Sequence, residues 1–328
     1  MNRVSPLQRV SVFVRDTERS LALYRDVLGL TVVDTRSLQG PVIAKMLGLK
    51  DCKIRVTYLT SENSEIARVG LFEVSDPRPP VLAPPSRHNV IHSGQMIMVF
   101  DTAHIPEIHA AAKKMGLPAL CEPMAIRGSK GGTYDEYIFF DPDGALVDMI
   151  HYTPDPGGSS GDSAARVGGP SGPTSNRTSP ILRASIFVRD LERSLALYRD
   201  ILGLSVIDRR EFGGPQVGAI LGLGDCKLRV AYLTAKDSPI GRIGLFEVTS
   251  PRPPELARPA TNTIHIGQAA IILSTSQVQA LHGDLKRAGF SFLCEPIGFT
   301  RPGGGTFTEM FFFDPDGVTI GVIQLTPA

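Results

Sequence analysis

Polar residues able to do chemistry recur in pairs along this chain. A histidine stands three residues before a glutamine in NVIHSGQ (89–95) and again in NTIHIGQ (262–268), giving His92 with Gln95 and His265 with Gln268. A neutral imidazole in such a place can move protons near pH 7 or ligate a metal, and it can equally cap a loop that leads into a strand. Glu136 and Glu309 precede FFDPDG segments, with Arg127 and Arg301 in the Gly-rich loops before them. These read either as an acid/base group with an anion clamp or as solvated surface charges. Asp141, Asp143 and Gly144 spell a turn, so their carboxylates are expected to stabilise it rather than to catalyse. P-loop, GxGxxG after a strand and HExxH are missing from the sequence, and GxSxG occurs only as GGSSG (157–161) in a Gly/Ser/Pro stretch without strand or helix pattern, which removes support for nucleotide phosphoryl transfer, dinucleotide redox chemistry, zincin proteolysis and acyl-serine hydrolysis.

The pairing of these residues reflects a tandem duplication. RVSVFVRDTERSLALYRDVLGLTVVDTR at 9–36 returns as RASIFVRDLERSLALYRDILGLSVIDRR at 183–210, and DCKIRVTYLT at 51–60 returns as DCKLRVAYLT at 225–234. Each copy has about 145 residues, the size of a domain rather than of a solenoid repeat. Between them, residues 153–180 are dominated by Gly, Ser and Pro, predicting a flexible tether that joins domains 5–152 and 181–327. Sequence leaves open whether the copies pack side by side or exchange partners between chains, as monomer or homodimer. A net charge of +1 without basic clustering gives no case for nucleic acid. With no membrane-length apolar run and no secretory core at the N-terminus, the expectation is a cytoplasmic protein. Cys52, Cys121, Cys226 and Cys294 lie in strand-like segments and read as reduced core thiols.

Each copy reads twice as strand, helix and three strands, an α+β arrangement of βαβββ units. The first strand alternates, with Arg9, Ser11 and Phe13 on one face and Val10, Val12 and Val14 on the other. Asp16 opens a helix that Gly29 ends; a second helix spans 104–115, and Asp141-Pro142-Asp143-Gly144 turns between the last two strands. Phe13, Phe72 and Tyr137, with their counterparts, can line an apolar cavity or fill core.

VFVRDTERSLALYRDVLGL followed by FFDPDGALVDMI, both present twice, resembles the vicinal oxygen chelate superfamily of glyoxalases, bleomycin- and fosfomycin-resistance proteins and extradiol dioxygenases. The resemblance implies that two βαβββ units form a cupped mixed sheet around one cavity. It also implies four metal-ligand positions, usually His or Gln, Glu, His and Glu. These fall at Arg9, Gly70, Gln95 and Asp148 in the first copy and at Arg183, Gly244, Gln268 and Gly321 in the second. Arginine offers no lone pair and glycine no side chain, so the ordinary metal site is absent and no cofactor is expected; a divalent metal in a shifted register is the alternative. A guanidinium at the first position can instead hold an oxyanion, or can form a structural ion pair with Asp148. The expected function is therefore a metal-independent lyase, isomerase or cyclase acting on a small carbonyl- or carboxylate-bearing molecule. Its site is expected in the first copy, because Asp148 faces Gly321 across the duplication. Arg9 clamps oxygen there and Asp148 or His92 exchanges the proton, with Gln95, Phe13, Glu136 and Arg127 around the ligand; Arg183, Gln268 and His265 are the second-copy equivalents. The alternatives are a sequestering protein like the bleomycin-resistance branch, and a metal-dependent extradiol dioxygenase or glyoxalase.

Overall fold

Strand alternation decides which side chains each sheet buries. The computed structural model describes residues 2–83, 89–128, 131–156, 176–257, 262–300 and 304–327; Arg301 and most of the inter-copy segment lie outside them. In β1 (Arg9–Val14), Val10, Val12 and Val14 enter the central core, while Phe13 belongs to a separate apolar cluster on the opposite face. The Asp16 carboxylate accepts from the Arg19 N–H at 3.1 Å and starts α1 (Thr17–Leu21), which widens into a π turn over Ala22–Val27. Gly29, at φ 75°, closes it in a conformation that costs a side-chain-bearing residue energy.

The first unit continues through β2 (Thr31–Gln39), β3 (Lys53–Thr60) and β4 (Arg68–Asp76). The second contains β5 (Met96–Asp101), α3 (Ile105–Lys114), β6 (Ala119–Arg127), β7 (Thr133–Phe140) and β8 (Leu146–Thr153). Between β2 and β3 lies a short helix, α2 (Pro41–Met46), that the strand pattern does not announce. Gly40 at φ 107° turns the chain, and Pro41 supplies the preset φ of a first helical position. The second copy repeats the plan. Its first half holds β9 (Arg183–Phe187), α4 (Leu191–Leu195, then a π turn), β10 (Ser205–Gly214), α5 (Pro215–Leu221), β11 (Cys226–Thr234) and β12 (Arg242–Ser250). Its second half holds β13 (Ala269–Ser274), α6 (Val278–Arg287), β14 (Phe292–Thr300), β15 (Thr306–Phe313) and β16 (Thr319–Thr326).

Two curled mixed sheets of eight strands result, ordered β14-β15-β16-β13-β1-β4-β3-β2 and β10-β11-β12-β9-β5-β8-β7-β6. Each sheet contains two βαβββ units, but one comes from each copy. The joints are antiparallel: Arg9 on β1 stands opposite Ile272 on β13, and Val99 on β5 opposite Arg183 on β9. Sheets and sequence copies therefore do not coincide. Within a copy the units meet through their helix-covered faces instead. The Tyr24 hydroxyl donates to Asp141 at 2.8 Å and the Tyr198 hydroxyl to Asp314 at 2.9 Å, tying the helix motif to the DPDG turn of the same copy. The Asp141 and Asp314 carboxylates also accept turn N–H groups, as the turn signature predicts.

Of the expected tether, residues 157–175 lie outside the described residues, and both of its ends belong to the fold. β8 runs to Thr153, and on the far side Asn176, Arg177 and Thr178 donate side-chain hydrogen bonds to the backbone carbonyls of Gly29, Val27 and Leu28. All four cysteines are buried and unpaired. Among the described residues no helix is long and apolar enough to cross a membrane. Because both sheets draw strands from both copies, a chain cut once between the copies by protease should still elute as one particle on native gel filtration. Separation into two folded halves would contradict the exchanged topology.

Candidate active site

One row of paired residues across the second sheet brings ionisable side chains together. Arg183 on β9 stands opposite Val99 on β5, Val99 pairs with Asp148 on β8, and Asp148 stands opposite Ile138 on β7. Paired residues project to the same face, so Arg183 and Asp148 share the concave side, with Glu136 two positions along β7. They line a cavity of about 550 Å³. Its walls include Phe187, Phe246 and Tyr232 from the sheet, Phe212 from β10 and Ile220 from α5; Arg127 stands at the end of β6. The helix α5 thus helps to enclose the concave face, which gives the residues between β10 and β11 a role beyond connection.

Burial and charge set the electrostatics. Asp148 is 4% exposed, and its carboxyl is held well above the usual range, first by desolvation and then by the neighbouring Glu136 charge, with Arg183 opposing. Desolvation also raises Glu136, again against Arg183. Two carboxyls beside one guanidinium cannot both ionise cheaply, so the pair retains a proton, and Asp148 is the better holder of it. Asp148 Oδ1 is buried and has no hydrogen-bond partner among the described residues. The buried Arg183 is oriented by its Nε donating to Ser185 Oγ at 3.0 Å and lies 5.8 Å from the centroid of the Tyr232 ring, as does Arg210.

The metal positions do not fit a metal. In this cup they are Arg183, Gly244, Gln95 and Asp148, and a Cβ at Gly244 would lie 2.7 Å from Phe246 Cε2. At Gly70 in the other cup the distance to Phe72 Cε2 would be 2.8 Å. In both copies an aromatic ring covers the glycine, leaving no room there for a ligand side chain. Gln95 does not line the cavity; its Oε1 accepts from the His92 backbone N–H at 2.7 Å. Among the described residues no three His, Cys, Asp or Glu side chains gather to hold a metal ion.

The concave face of the first sheet is built differently. Arg9 stands there with Glu309 at 3.5 Å, an ion pair without hydrogen-bond geometry, since Glu309 Oε1 has no hydrogen-bond partner. Burial pushes Glu309 up to about 7 against the pull of Arg9. Where the second sheet has Asp148, this one has Gly321, and a Cβ would meet Ile272 Cδ1 at 2.5 Å and Phe311 Cε1 at 2.7 Å. Phe311 replaces Ile138 of the other sheet and fills the space of the acid. Phe299 and Phe307 lie with ring centroids 5.0 Å apart, tilted by 39°, where the cavity has Ile126 and Tyr134.

The structure thus separates residues that sequence reasoning grouped. Arg9 and Asp148 lie in different sheets, and Asp148 shares its cup with Arg183, Glu136 and Arg127 instead. His92 is fully buried in the turn leading into β5, with Nδ1 2.9 Å from the Val90 carbonyl, and it does not line the cavity. His265 holds the equivalent place, its N–H donating to Gln268 at 2.8 Å. Gln268 also donates to Thr319 at 2.5 Å, and with Gln95 it borders a separate groove between the two Asp-Pro-Asp-Gly turns. Phe13 packs in the first sheet's apolar cluster while its counterpart Phe187 lines the cavity, and Tyr137 stacks on Phe139 in the central core. Sequence reasoning missed Tyr232 and Arg210. Their signal was present in the duplication: Asp34-x-Arg36 and Asp208-x-Arg210, and the tyrosines of RVTYLT and RVAYLT, occur in both copies.

The Glyoxalase/Bleomycin resistance protein/Dioxygenase superfamily profile matches residues 7–149 and 180–322. No curated protein matches the chain in sequence. Among solved structures, glyoxalase I from Zea mays superposes with a TM-score of 0.59 at 17% identity, over 97% of this chain and 92% of that one. A putative dioxygenase from Bacillus subtilis subsp. subtilis str. 168 superposes with a TM-score of 0.55 at 15% identity, covering 100% and 87%. At such identities the likeness is one of fold. The two profile matches span most of the residues and both sheets have the corresponding architecture, so the chain belongs to the glyoxalase/bleomycin resistance protein/dioxygenase superfamily.

Proposed function

We propose that this protein is a metal-independent enzyme of lyase, isomerase or cyclase type that enolises a small carbonyl-bearing molecule in the second sheet's cavity. The observation that carries this reading is the unpartnered Asp148 Oδ1, buried beside Glu136 and Arg183 on the cavity wall. Protonated Asp148 donates to the substrate carbonyl oxygen, as buried carboxylic acids do when an apolar site keeps them neutral. Glu136, whose charge Arg183 favours, accepts the proton from the adjacent carbon. As the C–H electrons move into the new C=C bond, negative charge grows on oxygen, and Arg183 stabilises it. The inequality of the two cups supports catalysis over sequestration, since a protein that only stores ligand has no need of one cup filled and one holding a paired acid and base.

The test is proton exchange in D₂O, followed by NMR, across a panel of ketones and 2-oxo acids. Wild-type protein should exchange the α-protons of at least one, and Asp148→Asn should lose that activity while retaining its circular dichroism spectrum. EDTA should leave both exchange and melting temperature unchanged. Exchange undiminished in Asp148→Asn, or abolished by EDTA and restored by one divalent ion, would overturn the proposal.

A further inference from the structure

Both cups place a tyrosine beside the arginine, with a glycine on the strand between them. Tyr232 on β11 pairs with Gly244 on β12, and Gly244 with Ser185 on β9, so the three positions share the concave face. With no side chain at Gly244 and a short one at Ser185, the Arg183 guanidinium, two residues along β9, comes within 5.8 Å of the Tyr232 ring centroid. The first sheet repeats the row as Tyr58, Gly70 and Ser11, with Arg9 5.4 Å from the Tyr58 ring. The glycine at the second metal position thus has a use of its own: it lets an arginine meet a tyrosine two strands away. The two cups then differ. In the first, Tyr58 ring carbons lie 3.4 Å from the Cβ position of Gly70, and Arg36 is 65% exposed. In the second, the atoms nearest the Gly244 Cβ position belong to Phe246 and Ser185, and Arg210 turns in to 5.8 Å from the Tyr232 ring. The buried Tyr24 and Tyr198 donate to Asp141 and Asp314, whereas among the described residues no group accepts from the Tyr232 hydroxyl. Tyr232 is 8% exposed and lines the cavity. Burial raises its pKa against the pull of Arg183 and Arg210, so the phenol keeps its proton near pH 7 and can donate. A hydroxyl so placed is stripped of bulk water and is compensated only by an acceptor inside the cavity.

We infer that Tyr232 is a catalytic residue whose hydroxyl donates a hydrogen bond to the same substrate oxygen that Arg183 stabilises. This deepens the functional reading above and rests on the same cavity. β9 lies between β11 and β8 in the sheet, so Arg183 has Tyr232 on one side and the Glu136–Asp148 pair on the other. An oxygen lodged at the guanidinium is approached by the phenol from the aromatic side and by protonated Asp148 from the acidic side. As charge grows on that oxygen, the bond from Tyr232 strengthens, which is what a preorganised donor contributes to a transition state. The same hydroxyl selects the substrate. A molecule of equal shape with CH₂ in place of the oxygen would leave the phenol buried without an acceptor, and a site built around such a donor rejects it.

A matched pair of probes tests this. 2-Acetonaphthone and 2-isopropenylnaphthalene differ only in a carbonyl oxygen against a CH₂ group, and Tyr232→Phe keeps the ring that the arginines contact while removing the hydroxyl. In calorimetric or NMR titration of the full chain at pH 7, the ketone should bind the wild-type protein saturably. Tyr232→Phe should weaken the ketone about three- to tenfold, the net worth of one hydrogen bond, and leave the alkene unchanged. Exchange of the acetyl protons in D₂O at saturating ketone should slow by a factor on the order of 100 in the same variant. 3-Fluorotyrosine installed in place of Tyr232 carries a more acidic hydroxyl and should tighten the ketone alone, and it decides the matter if Tyr232→Phe does not fold. Ketone affinity unchanged in Tyr232→Phe, an equal loss for both probes, or no saturable ketone binding at millimolar concentration overturns the inference. The two ideas fail separately. A ketone-selective loss without exchange in the wild-type protein refutes enolisation and leaves the Tyr232 contact standing, whereas exchange and affinity equal in wild type and Tyr232→Phe refute the contact and leave enolisation standing.

Discussion

Arg183→Ala should reduce turnover by a factor on the order of 100 to 1,000, while Arg9→Ala should leave it within a few-fold of wild type. The first figure is the usual loss when one donor to a developing oxyanion is removed, about 2.7–4 kcal/mol in the transition state. Sequence reasoning alone predicts the reverse order, because it assumes that Arg9 and Asp148 share a cup. They do not: β1 lies beside β13, and β9 lies beside β5. Arg9 faces Glu309 among apolar side chains, so its removal should appear as lost stability, on the order of 1–3 kcal/mol for a buried acid left without its partner. Turnover and thermal melts of the two variants, compared side by side, check both halves. A silent Arg183→Ala together with an inactive, fully stable Arg9→Ala would move the working site to the first sheet.

Stability should rise as pH falls from about 8 to about 5. Among the buried carboxyls pushed up by desolvation, Asp141 rises to about 6, with the Asp143 charge adding to the effect, Glu309 to about 7, and Asp314 to about 7 beside Asp316. A group whose folded pKa exceeds its unfolded value stabilises fully below the unfolded pKa, and that contribution is lost as pH rises through the folded pKa. For these three the loss runs from about pH 4 to just above 7. At about 1.4 kcal/mol per unit, each can account for roughly 3–4.5 kcal/mol at most across that window. The lowered carboxylates Asp26, Asp155, Asp200, Asp284 and Glu295 lie at the surface and oppose this only weakly. Melting temperature against pH gives the slope, and Asp314→Asn should flatten it. That substitution keeps an oxygen for the Asp316 and Val318 N–H groups and an amide facing the Tyr198 hydroxyl. A melting temperature that climbs toward pH 8 would contradict the assignment.

Local chemistry was legible in the sequence where one residue type settles one backbone question. Asp16 caps its helix, Gly29 and Gly116 take positive φ after theirs, and the Val10/Val12/Val14 face is core. The unit order was readable for the same reason. Partner choice was not. β5 and β13 have nearly the same pattern of buried residues, so the edge of β1 is satisfied by either, and the 28-residue segment between the copies restricts neither. The short helices α2 and α5 were hidden because six or seven residues give too little period to distinguish from loop. That single unreadable choice decides which arginine meets Asp148. Gly321 had a visible signal whose meaning only packing supplies: Phe311 occupies the room that Ile138 leaves open.

The exchanged joint also puts function out of phase with duplication. The cup that holds Asp148 runs unbroken in sequence from β5 through β12, the second half of one copy followed by the first half of the next, and the Gly/Ser/Pro segment is spliced into its middle. The outer quarters of the chain, β1–β4 and β13–β16, assemble the filled cup around it. A symmetrical dimer of one unduplicated copy would carry every substitution in both cups at once. Here the four quarters are encoded separately, so the inner pair can acquire an acid while the outer pair gains bulk, with neither change imposed on the other. The heritable unit of this site is the central frame of the chain, and an alignment made copy against copy will always cut it in two.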